Sequence, residues 1–333
     1  MITLPESKPT NPELSQSVLE VDAASLVEEI VVSLRQAAHS RLRKRGAVVA
    51  VSGGVDSSLV LALCTRAFGP DHVLALLMPE RDSAEETLRL SRLAAEHLGV
   101  PFVLEDVTEA LEAVGCYRRR DDAFRDLIPQ YGPGWKAKLV LPPITGTGSF
   151  RVFSVVARSP EGEDVRVRVT VDAYRRIVAA TNFKQRVRKV LEYYHADRLE
   201  YAVVGTPNRL EHALGFFVKN GDGSADVKPI ANLYKSQIYQ LAEWMGVPEQ
   251  IRTRTPTTDT YPLSQDQEEF YFALPYESMD LALYAWTYGY PPESLASAIR
   301  VTPTDAVRIY RDIDAKRRVA DVLSSPPLTL DGA

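Results

Sequence analysis

The segment SGGVDSS, residues 52–58, combines small residues with one carboxylate directly after the apolar run AVVAV. Ser52, Gly53 and Gly54 carry little side chain, so their backbone amides can approach an anion closely. The helix predicted to follow would add unpaired N–H groups and the positive end of its dipole. This combination predicts a phosphate-binding loop.

Asp56 stands inside this loop, where a carboxylate would repel a phosphate unless a divalent cation lay between them. We therefore predict that Asp56 binds a metal ion, or a water ligand of that ion, beside a polyphosphate. The segment lacks the lysine of GxxxxGK[ST] and does not match GxGxxG. The structural alternative is a plain glycine turn whose aspartate caps the next helix.

Strands and helices alternate around the loop, which predicts a doubly wound α/β fold, a parallel sheet with flanking helices. In such sheets ligands bind at the carboxyl ends of the strands. The predicted strands are residues 47–51, 72–79, 101–107 and 200–206, and the main predicted helices are residues 22–45, 57–69, 83–99, 186–199 and 236–246.

We predict a flexible lead over residues 1–21 and a single domain over 22–333. An insertion at about 117–180 interrupts the α/β order, and a helical part occupies about 262–333. Within the insertion, residues 149–171 predict a β-hairpin that turns at 160–163, because Val165, Val167, Val169 and Val171 alternate with polar residues.

Composition limits the function classes. With 333 residues and 45% hydrophobic residues, the chain can bury a large core. Its net charge of −5 argues against a dedicated nucleic-acid-binding protein, and no apolar run suits a membrane span or a signal peptide. Two cysteines provide no disulfide framework and no metal quartet, so we expect a cytoplasmic protein.

The motif SGGVDSS resembles the pyrophosphate loop of the ATP pyrophosphatases, which split ATP to AMP and pyrophosphate. The segment VVGTPNRLEHALGFFVKNGDGSADVKPIANLYK narrows the resemblance to the ammonia-dependent NAD synthetases. NFKQRVRKVLEYY is similar to the NxKxR helix of that family, and the resemblance covers roughly residues 25–110 and 180–327. It implies an adenine nucleotide alpha hydrolase-like fold.

The resemblance also implies the chemistry. A carboxylate attacks the α-phosphorus of ATP, pyrophosphate leaves, and ammonia then converts the acyl-adenylate to an amide. The implied acceptor is nicotinic acid adenine dinucleotide, the implied product is NAD, and ATP and Mg²⁺ are the implied cofactors. We further expect a homodimer. Either free ammonia or a separate partner protein supplies the nitrogen.

Site residues follow from the matched positions. The resemblance implies that Asp56 and Glu211 bind Mg²⁺ and that Asp56, Lys219, Lys235 and Asp226 take part in catalysis. Asp222 and Asp226 are the residues expected to hold substrate and ammonium. The residues expected to bind nucleotide or substrate are Ser52, Gly53, Gly54, Asp56, Ser57, Ser58, Met78, Arg186, Thr206, Phe216, Lys219, Asp222, Lys235 and Thr257.

Two departures from the family keep other functions open. The insertion at 117–180 is about forty residues longer than the family's corresponding stretch, and VKN at 218–220 replaces its usual Thr-Lys-Tyr. One alternative is therefore an amide ligase of this type that acts on a different carboxylic acid. A non-catalytic protein that keeps the fold and a tRNA-modifying enzyme are the remaining alternatives.

Overall fold

The computed structural model describes residues 13–142, 144, 152–255, 261–263, 271–272 and 274–329. Its strands are β1 (Ala47–Ala50), β2 (Val73–Leu77), β3 (Phe102–Leu104), β4 (Lys136–Val140), β5 (Ser154–Arg158), β6 (Asp164–Arg168) and β7 (Ala202–Val204). The central sheet has the order β3–β2–β1–β7, and every neighbouring pair is parallel.

Helices precede β1, lie between several of the strands and follow β7. They are α1 (Ala23–Arg35), α2 (Val55–Phe68), α3 (Glu85–His97), α4 (Thr108–Ala113), α5 (Cys116–Arg125), α6 (Val171–Leu199), α7 (Arg209–Leu214), α8 (Lys235–Trp244), α9 (Glu249–Arg252), α10 (Tyr276–Thr287), α11 (Pro292–Ile299) and α12 (Pro303–Ser324).

Helices cover both faces of the central sheet. Successive residues of a strand point to opposite faces, so neighbouring residues of β1 pack in different cores. Val49 of β1 packs in the core that α1, α2, α3 and α8 form on one face. Val48, its neighbour, packs in the core that α4, α5 and α6 form on the other. The predicted doubly wound parallel sheet is confirmed, and β1 lies where the chain direction across the sheet reverses.

The insertion contains a small antiparallel sheet in the order β4–β5–β6. The predicted hairpin is confirmed, since Arg158 pairs with Asp164 on either side of the predicted turn. Two details differ from the prediction. β4 was not predicted, and Val171 does not extend the strand but begins α6 with 66% of its surface exposed.

Helix α6 has 29 residues and begins at Val171, fifteen residues before the predicted helix start at 186. The Thr170 side chain caps it by accepting a hydrogen bond from the backbone N–H of Ala173 at 3.2 Å. The first turns of α6 pack against the small sheet through Ala173 and Ile177. The later turns cover the central sheet through Ala196. One helix thus joins the insertion to the α/β core.

Part of the predicted N-terminal lead is packed in the structure. Leu14 and Leu19 are buried in a core shared with α7, α10, α11 and α12. The Gln16 side chain also donates a hydrogen bond to the backbone oxygen of Glu277 at 3.2 Å. Residues 1–12 lie outside the described part of the chain. The division into a lead and one domain stays a prediction.

Among the described residues, no helix combines the length and the apolar character that crossing a membrane requires.

Replacing Phe124 by alanine should measure how firmly the insertion is packed. Phe124 of α5 is fully buried among residues of β4, β5 and α6. Loss of its ring should lower the free energy of unfolding by about 3–5 kcal/mol in urea titrations. Val190→Ala, at a side chain that is 69% exposed, is the control and should change it by less than about 1 kcal/mol. Equal effects of the two variants would contradict the packing described here.

Candidate active site

A cavity of about 250 Å³ opens at the carboxyl ends of three neighbouring strands of the central sheet. Ser52 follows β1, Met78 follows β2, and Thr206 follows β7, and all three residues line this cavity. This is the crevice in which open α/β sheets bind their ligands.

The segment of residues 52–57, the glycine loop, lines the cavity, and its conformation depends on a glycine at position 53. Gly53 has a φ of 71°, and a Cβ there would lie 2.8 Å from both the Cβ of Leu90 and the backbone oxygen of Thr87. A side chain at this position would therefore be strained and would also clash with α3. Ser57 fastens the loop, because its hydroxyl donates to the backbone oxygen of Gly54 at 3.1 Å and accepts from the backbone N–H of Ser52 at 3.2 Å.

Asp56 meets two other charged side chains in the cavity wall. Lys235 of α8 is 1% exposed, and its Nζ forms an ion pair with Oδ2 of Asp56. Glu211 of α7 lies close enough to interact electrostatically with both. The three residues come from distant parts of the chain and share one cavity.

Burial and neighbouring charges shift the pKa values of Glu211 and Lys235. Burial raises the pKa of Glu211, and the Asp56 carboxylate acts in the same direction while Lys235 opposes it. Burial alone would lower the pKa of Lys235, but Asp56 and Glu211 outweigh it and the pKa is raised. The two acids therefore favour the protonated form of Lys235.

Asp280 of α10 fixes the position of Lys235 through the backbone at the start of α8. Its carboxylate accepts hydrogen bonds from the backbone N–H groups of Lys235 at 3.1 Å and of Ser236 at 2.8 Å. These N–H groups begin α8 and have no partner within their own helix. A fully buried aspartate thus serves as a cap supplied by another helix.

The structure brings most of the predicted site residues to the cavity. Those that line it are Ser52, Gly54, Asp56, Ser57, Met78, Thr206, Glu211, Asp222 and Lys235. Gly53 and Ser58 stand behind the wall, where Gly53 gives the loop its conformation and the Ser58 hydroxyl is buried. Thr257 lies outside the described residues.

Lys219 and Asp226, both predicted to be catalytic, do not line the cavity. The Nζ of Lys219 donates to the backbone oxygens of Val322 and Ser325, at 3.4 and 3.3 Å, where α12 ends. Asp226 accepts a hydrogen bond from the backbone N–H of Val203 at 2.8 Å and so stabilises β7. Within one chain both residues hold backbone segments, and their catalytic roles stay predictions.

Phe216 and Arg186 also point elsewhere. The Phe216 ring stacks on Tyr271 with 4.8 Å between ring centroids, as part of the core around α10. The Nε of Arg186 donates to the backbone oxygen of Lys219 at 3.2 Å. Phe216 therefore fits the ordinary role of a core aromatic residue, and Arg186 stabilises the segment that carries Lys219.

Several polar residues that line the cavity were not predicted from the sequence. They are Gln185, Arg188, Lys189 and Glu192 of α6, together with Ser83, Thr87, Ser91 and Arg254. Lys189 and Glu192 form a buried ion pair with 2.6 Å between Nζ and Oε2. In sequence these charges resemble a solvated helix face, and only the packing of α6 over the sheet reveals their position.

The donor set suits a magnesium ion that also binds phosphate. In the part of the chain that the structure describes, no group of three or more His, Cys, Asp or Glu side chains forms a complete metal site. Mg²⁺ usually takes one or two carboxylates together with substrate phosphates and water. Asp56 and Glu211, which line one cavity with the predicted phosphate-binding loop, match that pattern.

Comparison with known proteins identifies a family to which this chain is similar. The NAD synthase family model matches residues 26–126 and 164–318, which is more than half of the chain. The chain belongs to the NAD synthase family. The gap in the match, residues 127–163, coincides with β4, β5 and the turn between β5 and β6.

Two curated members of the family are closely similar over nearly their whole length. The NH(3)-dependent NAD(+) synthetase of Mesorhizobium japonicum is 54% identical over 311 residues, 93% of this chain and 98% of that protein. The NH(3)-dependent NAD(+) synthetase of Rhizobium meliloti is 51% identical over 313 residues, 94% of this chain and 93% of that protein.

Solved structures show the same fold. An NMN synthetase from Francisella tularensis matches with a TM-score of 0.66 and 19% identity, covering 94% of this chain and all of that one. An NH3-dependent NAD synthetase from Campylobacter jejuni matches with a TM-score of 0.61 and 20% identity, over the same shares of the two chains. At these identities the likeness concerns the fold alone.

Replacing Asp280 by asparagine should change how stability depends on pH. Burial raises the pKa of Asp280 to about 6, above its unfolded value of about 3.9, so the folded protein retains a proton that the unfolded chain releases. This contribution to stability is complete below about pH 4 and is lost as the pH rises through about 6.

Asp280→Asn cannot titrate, so its stability should improve relative to the wild type by about 2 kcal/mol between pH 4.5 and pH 7. Urea unfolding at several pH values would measure this difference. A difference between the two proteins that is constant with pH would contradict the shifted pKa.

Proposed function

We propose that this chain is an ammonia-dependent NAD synthetase that uses ATP to convert nicotinic acid adenine dinucleotide to NAD. The observation that carries the proposal is the convergence of Asp56, Glu211 and Lys235 on one cavity that begins at the glycine loop. The similarity to the rhizobial synthetases supports the choice of reaction.

The reaction has to replace a carboxylate oxygen by nitrogen, and oxide is a poor leaving group. ATP solves this problem when the carboxylate oxygen attacks the α-phosphorus, because the P–O bond to pyrophosphate breaks and an acyl-adenylate forms. The lone pair of ammonia then attacks the acyl carbon, AMP leaves, and the nitrogen loses a proton. The protein has to hold the phosphates and place the two reactants in contact.

The glycine loop is suited to hold the departing pyrophosphate. The loop leads into the N-terminus of α2 at Val55, where the first backbone N–H groups of the helix have no partner within it. Lys235 adds a fixed positive charge beside the phosphates, at a position that Asp280 and Asp56 determine. Groups fixed in this way can stabilise the negative charge that develops at the α-phosphate without reorganising.

Asp56 and Glu211 would hold a magnesium ion, which would offset phosphate charge while it is bound. Both carboxylates line the cavity next to the loop, so the residues present fit this ion. The raised pKa of Glu211 reflects the cost of burying two acids close together, and a divalent cation would relieve this cost.

Asp222 is the residue best placed to attract ammonium. It lines the cavity, and its carboxylate is held by the backbone N–H of Val218 at 2.8 Å. A carboxylate there can bind the ammonium ion and accept a hydrogen bond from it close to the acyl carbon. Asp226, the other acid of GDGSAD, is exposed and turned toward β7.

We also propose a cytoplasmic homodimer that does not bind nucleic acid. The net charge of −5 supports the absence of nucleic-acid binding, and the two buried free cysteines support the cytoplasmic assignment. Free ammonia is the proposed nitrogen source, and a protein that delivers ammonia is the alternative. A different carboxylic acid as acceptor remains the second candidate function, favoured by the two inserted strands, β4 and β5, that the family model leaves unmatched.

The direct test supplies the purified protein with ATP, Mg²⁺, ammonium and nicotinic acid adenine dinucleotide, and measures NAD and AMP together. We expect NAD and AMP in equal amounts. If no NAD forms, pyrophosphate exchange should be screened with nicotinic acid mononucleotide and other carboxylic acids. Exchange with one of these acids would establish the second candidate function, and exchange with none would contradict both.

Asp56→Asn should reduce kcat/KM about 100-fold or more, because the amide keeps the shape but cannot neutralise Mg²⁺ or Lys235. Asp71→Asn, at an exposed carboxylate outside the cavity, is the matched control and should retain wild-type kinetics. An Asp56→Asn variant with unchanged kinetics would rule out the assigned role of Asp56.

A further inference from the structure

Asn208 connects the two acids that face the cavity. Its Nδ2 donates a hydrogen bond to Oδ1 of Asp56 at 3.1 Å. Its Oδ1 accepts one from the backbone N–H of Glu211 at 3.0 Å, and its own backbone N–H donates to Oε2 of Glu211 at 3.0 Å. Asn208 is completely buried.

Two of these hydrogen bonds belong to an ordinary feature of helices. Asn208 is the N-cap of α7, and Glu211 completes the reciprocal capping box three residues later. Many side chains could provide such a cap, since serine, aspartate and asparagine are similarly effective. The capping box therefore explains the contacts with Glu211 and leaves the contact with Asp56 unexplained.

The hydrogen bond from Asn208 to Asp56 links segments that follow two neighbouring strands of the sheet. Asp56 stands in α2, which follows β1, whereas Asn208 and Glu211 follow β7. Linking them requires a side chain that accepts a hydrogen bond for the cap and donates one to a carboxylate. An amide does both without a charge of its own. Aspartate cannot donate when ionised, and the serine hydroxyl is shorter.

We propose that Asn208 is a positioning residue that fixes the spacing between the Asp56 and Glu211 carboxylates for a divalent cation. A neutral amide restrains both acids and adds no charge of its own to the site. Partners of this kind orient metal ligands in many proteins, and their loss typically weakens metal binding by about 10–100-fold. This inference rests on the proposed function, in which the two acids hold Mg²⁺ beside ATP.

Asn208→Ser tests the inference because it keeps the cap and removes the link to Asp56. Binding of Mn²⁺, used as a paramagnetic substitute for Mg²⁺, should be measured by electron paramagnetic resonance in the presence of ATP. We expect its affinity to fall about tenfold or more, and the Mg²⁺ concentration that gives half-maximal turnover to rise by a similar factor. Asn208→Thr, which is closer to asparagine in volume, serves if the serine variant does not fold.

Thr170→Ala is the control for the loss of a cap alone. It removes the N-cap hydrogen bond of α6, and Thr170 lies outside the cavity wall. This variant should lose stability and bind Mn²⁺ like the wild type. If Asn208→Ser and Asn208→Thr also bind Mn²⁺ like the wild type, Asn208 is a helix cap and the inference is overturned. If the wild type itself does not bind Mn²⁺ with ATP, the proposed function fails instead.

Discussion

The buried ion pair between Asp56 and Lys235 is the interaction on which the rest of the site depends. Lys235 is 1% exposed, so its charge is stable only while a carboxylate stays in contact with it. The surrounding structure maintains that contact from both sides. Asp280 fixes the backbone of Lys235, and Asn208 fixes the carboxylate of Asp56. The loop at residues 52–57 thereby lies beside a pair of opposite charges in fixed positions.

The order of the strands brings these residues together. β1 lies between β2 and β7, so the segments that leave the three strands meet at one edge of the sheet. The loop at 52–57 comes from β1, and Glu211 comes from the helix after β7. Lys235 begins α8, which packs on the same face as α2. Residues more than 150 positions apart in the sequence can therefore share one cavity.

The sequence predicted what depends on local patterns. Apolar runs identified the parallel strands, and valine alternation identified the hairpin of β5 and β6. Contacts between distant segments left no such pattern. The cap that Asp280 supplies crosses 45 residues, and Lys189 and Glu192 resemble surface charges until α6 packs over the sheet. Lys219 and Asp226 match family positions, yet within one chain they stabilise the end of α12 and β7.

A crystal structure with Mg²⁺ and a non-hydrolysable ATP analogue would show whether Asp56, Glu211 and Lys235 bind magnesium and the phosphates of ATP. We expect the phosphates against residues 52–57, the ion on Asp56 and Glu211, and the Nζ of Lys235 in contact with a phosphate oxygen. A nucleotide bound elsewhere, or an ion that contacts neither carboxylate, would contradict this assignment.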